Sequence, residues 1–230
     1  RSYSVTGVQT CALPISSHTS SGAGHDMPSG HDVSGAWTTE AETLPTEDLP
    51  VSVMHGPDNH GPDNSMIAMM AQRRYAEPGI GLGQDGWRVL TYADLRALRP
   101  LPDRRAPDRQ IELHLTGNMG RFIWGIDGKK FSDADEIRFV YGERVRINMI
   151  NDTMMAHPMH LHGMWMDLYT GGTLQDYARK HTVAVKPGEL LTVDITVDAP
   201  GRWAFHCHLL YHMEVGMFRT VAVVRSLNGG

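Results

Sequence analysis

The C-terminal half of the chain alternates apolar and polar residues with the period of two that is typical of β-strands. The alternation is clearest at 111–115, 145–149 and 191–197, where polar residues separate aliphatic ones. Turn-forming glycine and proline residues lie at 171–172, 187–188 and 199–201. Because no long helical pattern intervenes, we predict an all-β fold, an antiparallel Greek-key β-sandwich that closes with a strand over 218–224.

The character of the sequence changes near residue 107. Residues 17–54 are rich in Ser, Thr, Gly, Pro and acidic residues without sustained periodicity, which is typical of linkers. We therefore predict a folded domain over 107–226, preceded by a largely irregular segment, 17–106, that is a linker or the remnant of a preceding domain. The methionine-rich end of that segment, at 66–70, is expected to pack as a short helix.

Residues 1–16 differ from the rest of the chain in origin. They include Val-Thr-Gly-Val-Gln-Thr-Cys-Ala-Leu-Pro-Ile, which resembles the in-frame translation of a sequencing-adapter oligonucleotide, and they are excluded from the fold prediction. On this interpretation the chain is the C-terminal part of a longer open reading frame. The alternative is a genuine but irregular N-terminal tail.

Composition excludes several classes of function. The 230 residues are 41% hydrophobic and 20% charged, as in ordinary soluble domains. The net charge of −5 provides no basic stripe for nucleic acid or for an anionic membrane surface. No long apolar run predicts a membrane span. With Cys11 set aside, Cys207 is the only cysteine, so no intrachain disulfide is expected.

Candidate chemistry is concentrated around Cys207. His206 and His208 flank it, and His212 and Met217 follow. A thiolate, an imidazole and a distant thioether suit a copper ion that cycles between Cu(I) and Cu(II) in a trigonal Cys/His₂ site with a weak axial Met. His157 can complete the trigonal plane. With ligands gathered at one end of a β-sandwich, this is the layout of a cupredoxin.

The remaining histidines of these segments are expected to serve a second site. If the segment around Cys207 is a strand, Cys207 faces the interior while His206 and His208 project the other way. His160 and His162 have the same spacing and would share one face. Because Cys207 is covalently continuous with His206 and His208, we predict that these three residues carry electrons between the two sites.

Two motifs resemble the paired C-terminal signature of multicopper oxidases. They are His-Pro-x-His-x-His-Gly at 157–163 and His-Cys-His-x₃-His-x₄-Met at 206–217. The segments 111–119, 151–155 and 163–165 also resemble the bacterial copper-resistance protein A type. The resemblance implies that His157, Cys207, His212 and Met217 bind a type 1 copper, His160 a type 2 copper, and His162, His206 and His208 a type 3 copper pair.

The resemblance also implies a function in copper resistance and a periplasmic location. Such an oxidase takes electrons from Cu(I) or phenolic substrates at the type 1 copper and passes them to a trinuclear copper cluster that reduces O₂ to water. That cluster uses eight histidines, four from two further His-x-His motifs in an N-terminal domain, and this chain has no such further motifs. N-terminal cupredoxin domains of the same protein are therefore expected partners, and the isolated chain is expected to be inactive.

Three alternatives remain open. A free-standing electron-transfer cupredoxin would need only the type 1 ligands and leaves the other histidines unexplained. A non-catalytic copper-sequestering protein would use the Met- and His-rich stretch 54–70, which includes His-Gly-Pro-Asp-Asn twice in tandem. Zinc would also accept Cys207 and histidine, but it does not explain two imidazoles that face away from the thiolate.

A site for substrate Cu(I) is predicted just before His157. Asp152, Met154 and Met155 place a carboxylate beside two thioethers there, although methionines also commonly fill gaps in a core. His114 and His181 are isolated in the sequence. They are expected to be core or strand-surface histidines rather than metal ligands.

Overall fold

The structure, a computed structural model, describes residues 51–56, 64–170 and 177–225. The adapter-like residues 1–16, much of the predicted linker and the Gly171-Gly172 turn lie outside these ranges. The described chain is almost entirely β-sheet, with one short α-helix, α1 (Leu210–Glu214), and 3₁₀ turns at Tyr92–Asp94 and Phe131–Asp133.

The strands are numbered in chain order. They are β1 Val51–Ser52, β2 Met70–Ala71, β3 Arg109–Asn118, β4 Ile123–Ile126, β5 Ile137–Val140, β6 Arg144–Asn151, β7 His157–Leu161, β8 Met166–Leu168, β9 Ala178–Lys180, β10 Thr182–Val185, β11 Leu190–Thr196, β12 Gly201–Cys207 and β13 Phe218–Val224. The closing strand β13 therefore occupies the predicted residues.

Two curled sheets form a cupredoxin-like sandwich, which confirms the predicted fold class. One sheet has the order β10-β7-β12-β13-β5 and the other β4-β3-β6-β11-β8-β9. The expectation of purely antiparallel pairing is wrong at two places, because β3 pairs with β6 and β13 with β5 in parallel. Parallel neighbours need a crossover connection. Here the chain leaves β3, passes through β5 in the opposite sheet and returns at β6.

The core lies between the sheets and contains the aliphatic residues of the predicted alternation, although on β11 the polar residues Thr192 and Asp194 are buried as well. Ile147, Met149, Leu191 and Val193 are all buried. On β3 the alternation ends after Leu113, since the polar residues that follow it are buried as well. The segment before the sandwich covers that side of β3, and the N–H of Ser65 donates to the carbonyl of Gly117.

The described part of the predicted linker packs on the sandwich. Val53 and Ala71 form a small apolar cluster with Ile150. The expected short helix at 66–70 is wrong, since Met70 begins β2 and pairs with β1. The carbonyl of Met69 accepts from the N–H of Val53 next to β1, so it is paired across strands and not within a helix. Within the described ranges no helix is long and apolar enough to cross a bilayer.

Candidate metal centre

Two neighbouring strands, β7 and β12, supply half of the eight candidate ligands, and the residues directly after these strands supply two more. Their antiparallel register sets His206 opposite His160 and Cys207 opposite Met159. Side chains alternate between the two faces of a strand. Cys207, Met159 and His157 are fully buried on the inner face of the sheet. His160 and His206 belong to the outer face, so one pair of strands presents two different sets of donors.

The inner set, with His212 and Met217, is called the cysteine centre. His157 Nδ1 lies 3.7 Å from Cys207 Sγ, and His212 Nδ1 lies 3.8 Å from the same sulfur. The two Nδ1 atoms are 3.1 Å apart. Two nitrogens and one sulfur thus converge as the corners of a small triangle.

Thr153 determines which nitrogen of His157 is available. Thr153 Oγ1 lies 2.6 Å from His157 Nε2 and 2.9 Å from the amide oxygen of Asn151. The amide oxygen can only accept, so the hydroxyl proton points to Asn151 and the Thr153 oxygen accepts the Nε2–H of His157. The lone pair of His157 is therefore on Nδ1, directed at the sulfur.

Burial shifts the pKa values of these groups away from their ordinary values. It lowers the pKa of His157 to about 3, with a further contribution from repulsion by His212, and it also lowers the pKa of His212. Both imidazoles are consequently neutral near pH 7, which is the form that binds metals. Burial raises the pKa of Cys207 to about 12, so the thiol keeps its proton until a cation replaces it.

The helix α1 and the strand β4 fix the other half of the cysteine centre. His212 lies on α1, and its ring stacks on Trp124 of β4 with centroids 4.5 Å apart and planes 12° apart. Met217 is fully buried directly after α1, and its carbonyl accepts from the N–H of Cys207 at 3.0 Å. Gly216 makes the turn between them with a φ of +130°, where a Cβ would lie 2.5 Å from that of Lys130.

The outer set, His160, His162, His206 and His208, is called the four-histidine face. Donor atoms of the first three lie within 4.8 Å of one another, and His162 Nε2 is 3.1 Å from His206 Nε2. The ring of His208 lies 5.5 Å from that of His160. His162 is exposed and His206 is buried, so this face opens toward the surface of the described domain.

Backbone carbonyls orient two of these rings. His160 Nδ1 is 2.6 Å from the carbonyl of His181, and His206 Nδ1 is 3.0 Å from the carbonyl of Cys207. A carbonyl can only accept, so each Nδ1 carries the proton and each Nε2 is left as a donor for a metal. His181, which is isolated in the sequence, therefore contacts the face through its backbone.

Gly163 ends the histidine motif because a side chain would not fit there. Its φ is +76°, and a Cβ would lie 2.2 Å from the indole of Trp203 on β12. Glycine adopts this conformation without steric cost. The indole of Trp203 donates to the carbonyl of Ala199 at 3.0 Å, which fixes the ring against the glycine.

The predicted substrate residues differ in exposure. The Asp152 side chain has 0% exposure, whereas Met154 is 74% exposed and Met155 is half-buried against the core. Asp152 binds His55 and His114 at 3.0 and 2.9 Å. His114 is thus a core histidine, as expected, but it is not isolated in space. His55 belongs to the Met- and His-rich stretch 54–70, but nothing in the sequence indicated its contact with Asp152, which lies 97 residues away.

The ligand pattern and the fold agree with the sequence relatives of this chain. The sequence profile of the multicopper oxidases matches residues 104–226, which is more than half of the chain. The chain therefore belongs to the multicopper oxidase family.

Copper-resistance proteins are prominent among its relatives. The chain is 56% identical over 158 residues to a copper resistance protein A homologue of Pseudomonas syringae pv. tomato, an alignment that covers 69% of this chain and 27% of the relative. It is also 56% identical over 159 residues to copper resistance protein A of Escherichia coli, covering 69% and 26%. The chain thus spans about a quarter of the length of these relatives.

Among solved structures, a multicopper oxidase from Campylobacter jejuni aligns with a TM-score of 0.47 and 22% identity, covering 55% of this chain and 32% of that chain. A multicopper oxidase from the hyperthermophile Aquifex aeolicus aligns with a TM-score of 0.46 and 25% identity, covering 54% and 31%.

Proposed function

We propose that this chain is the C-terminal cupredoxin domain of a periplasmic copper-resistance multicopper oxidase. In this proposal the cysteine centre holds a type 1 copper. The four-histidine face contributes half of a trinuclear cluster, His160 to the type 2 copper and the other three histidines to the type 3 pair. One observation carries the proposal: β7 and β12 present His157 and Cys207 on one face, where His212 of α1 completes a Cys/His₂ triangle, and a cluster of imidazoles on the other face.

The donors of the cysteine centre fit copper. A thiolate, a thioether and two neutral imidazoles are a soft set, which favours copper over harder ions. Copper bound there supplies one-electron redox chemistry. The protein contributes a fixed Nδ1 lone pair on His157, a His212 ring held by stacking on Trp124, and a buried sulfur that bulk water does not reach.

Cys207 links the two sites covalently. Its backbone continues into His206 and His208, and its carbonyl also accepts the Nδ1–H of His206. An electron that enters at the sulfur therefore has a short bonded route to the four-histidine face. In the overall reaction four one-electron donors, Cu(I) or phenolic compounds, reduce one O₂ to two waters with four protons.

Asp152, Met154 and Met155 are proposed as the site where Cu(I) arrives. The exposed thioether of Met154 is the soft donor most accessible to a Cu(I) ion in solution. Met155 lies behind it against the core, close in sequence to His157. Met154→Leu should raise the KM for Cu(I) and leave kcat and the oxidation of a phenol unchanged. An equal loss with both substrates would contradict a role in Cu(I) recognition.

The enzymatic proposal is tested by oxygen uptake. The protein that joins this domain to its partner domains should consume one O₂ per four Cu(I) oxidised, and Cys207→Ser should abolish uptake. The 230-residue chain alone should show none, because its described histidines provide only half of the expected cluster. Copper-dependent colour without oxygen uptake in the joined protein would instead indicate an electron carrier.

A further inference from the structure

A third cluster of metal-binding side chains lies apart from both the cysteine centre and the four-histidine face. It consists of His55, His114 and Asp152, and one donor atom from each lies within 4.8 Å of the other two. We propose that this cluster, the His55 site, binds a divalent transition-metal ion of the Cu²⁺ or Zn²⁺ class. The proposal shares Asp152 with the proposed Cu(I) arrival site, but it needs no electron transfer and can fail or hold independently of the oxidase reaction.

The geometry of the His55 site suits one small ion. Asp152 Oδ1 lies 3.0 Å from His55 Nε2, and Asp152 Oδ2 lies 2.9 Å from His114 Nδ1. Two ligands that each lie about 2.0–2.1 Å from a tetrahedral ion are separated by roughly 3.3 Å. The two nitrogen–oxygen distances are close to that separation, and all three donor atoms lie within 4.8 Å of one another, so one ion could replace the shared protons.

Burial gives the site a fixed shape. The side chains of His55, His114 and Asp152 are 4%, 5% and 0% exposed. The two imidazole rings are 4.9 Å apart and tilted by 57°. The N–H of Ala68 also donates to Asp152 Oδ1 at 3.0 Å, which holds the carboxylate in place. A carboxylate buried this deeply is stable only when paired or bound to a metal.

A second carboxylate orients the His114 ring. His114 Nε2 lies 3.2 Å from Oε1 of the half-exposed Glu112, so Nε2 can donate its N–H to that carboxylate. The lone pair of Nδ1 is then available to bind an ion next to Asp152. Carboxylate–histidine–metal chains of this kind recur around protein metal sites. Although burial opposes protonation, Asp152 and then Glu112 raise the pKa of His114. A proton therefore competes with the ion.

The donor set determines which ion is expected. The cluster offers two nitrogens and one oxygen and no sulfur, a combination that favours borderline divalent ions over Cu(I). Three protein ligands also leave a fourth position for water or another donor. The site is connected to the cysteine centre, since Asp152 is bonded to Thr153, whose hydroxyl accepts from His157.

Zn²⁺ titration of the full chain tests the proposal. The cysteine centre is first filled with a single equivalent of copper, so that the His55 site stays free, and Zn²⁺ is then added while calorimetry records stoichiometry and affinity. His55→Gln and His114→Gln should each remove one equivalent of bound Zn²⁺ relative to the parent. Glu112→Gln should keep that equivalent but bind it about tenfold more weakly, as expected when an orienting carboxylate is lost.

Asp198→Asn is the matched control. Like Glu112→Gln, it removes one negative charge. Asp198 is exposed and follows the end of β11 that is farther from Asp152, so this variant should bind Zn²⁺ like the parent. Should His114→Gln fail to fold, the result of Glu112→Gln decides, because that side chain is half-exposed. Equal Zn²⁺ stoichiometry in the parent and both histidine variants would overturn the proposal, as would a loss shared by the control. The proposed function fails separately, if the copper-filled parent shows no copper–thiolate absorption.

Discussion

The cysteine centre and the four-histidine face share two strands but differ in completeness. The cysteine centre is closed: its donors are buried and converge from β7, β12, α1 and the turn that follows α1. The four-histidine face draws its rings from β7, β12 and the residues directly after them, and it includes the exposed ring of His162. The inner residues of one strand pair thus contribute to a complete site, while its outer residues contribute to a site that needs further ligands.

The sharpest way to break this comparison is to remove the sulfur. With Cu²⁺ bound, the parent should show the intense visible absorption of a copper–thiolate bond, at about 600 nm. Cys207→Ser should abolish that absorption completely, because the only described thiol is lost. Visible spectroscopy during copper titration provides the measurement. A blue colour that survives the substitution would contradict the ligand assignment.

A substitution in the four-histidine face tests whether the two sites bind copper independently. His162→Ala removes an exposed ring whose Nε2 lies 3.1 Å from that of His206, so the fold should be retained. The variant should keep the copper–thiolate absorption in full and lose more weakly bound copper, about one equivalent by equilibrium dialysis. Cys207→Ser should do the opposite. If His162→Ala bleaches the absorption, the sites are not independent.

Acid should destabilise both sites through their buried histidines. The pKa values of His157, His212, His160 and His206 are lowered, in each case chiefly by burial. Their stabilisation is present above the unfolded pKa of about 6.5 and is lost as the pH falls toward 3, by an amount on the order of a few kcal/mol. His114, with a raised pKa, has the opposite sign.

Chemical denaturation of the metal-free chain between pH 7 and pH 4 measures this loss of stability. The control is His157→Gln, which removes the group with the largest lowering and should flatten the pH dependence. A free energy of unfolding that is constant over this range would contradict the assignment of neutral, buried imidazoles.

The smallest effect is expected from the axial position. Met217→Leu conserves volume at a fully buried site and should cost less than about 1.5 kcal/mol of folding stability. The copper–thiolate absorption should remain, and the reduction potential should rise, because a weak donor to the oxidised ion is lost. Redox titration checks the direction. Loss of all copper binding would show that Met217 is a primary ligand.

Local sequence patterns predicted the fold class and the facing of the candidate ligands. The alternation of β12 places Cys207 inward and His206 outward, because a period of two follows from backbone geometry alone. The parallel pairing of β3 with β6 was not predictable in this way, since it depends on a crossover between sheets. The link between His55 and Asp152 was missed for a similar reason: it joins distant segments.

The residues that hold the ligand rings in place could not be predicted from the sequence patterns either. Trp124 lies on β4 and Thr153 between β6 and β7, and neither belongs to the two histidine motifs at 157–163 and 206–217. Their roles depend on which ring each one contacts in three dimensions. A period or a spacing can indicate which face a side chain occupies, but not which neighbour will hold its ring.

The support of the two imidazoles of the cysteine centre has a consequence for the speed of electron transfer. His157 is held by Thr153 and His212 by stacking on Trp124, and both contacts are made by the protein itself. A ligand frame that is fixed independently of the ion offers nearly the same positions to either oxidation state. In the proposed type 1 copper site, little nuclear rearrangement would then accompany the gain or loss of an electron, so we expect a small reorganisation energy and fast transfer even when the driving force is slight.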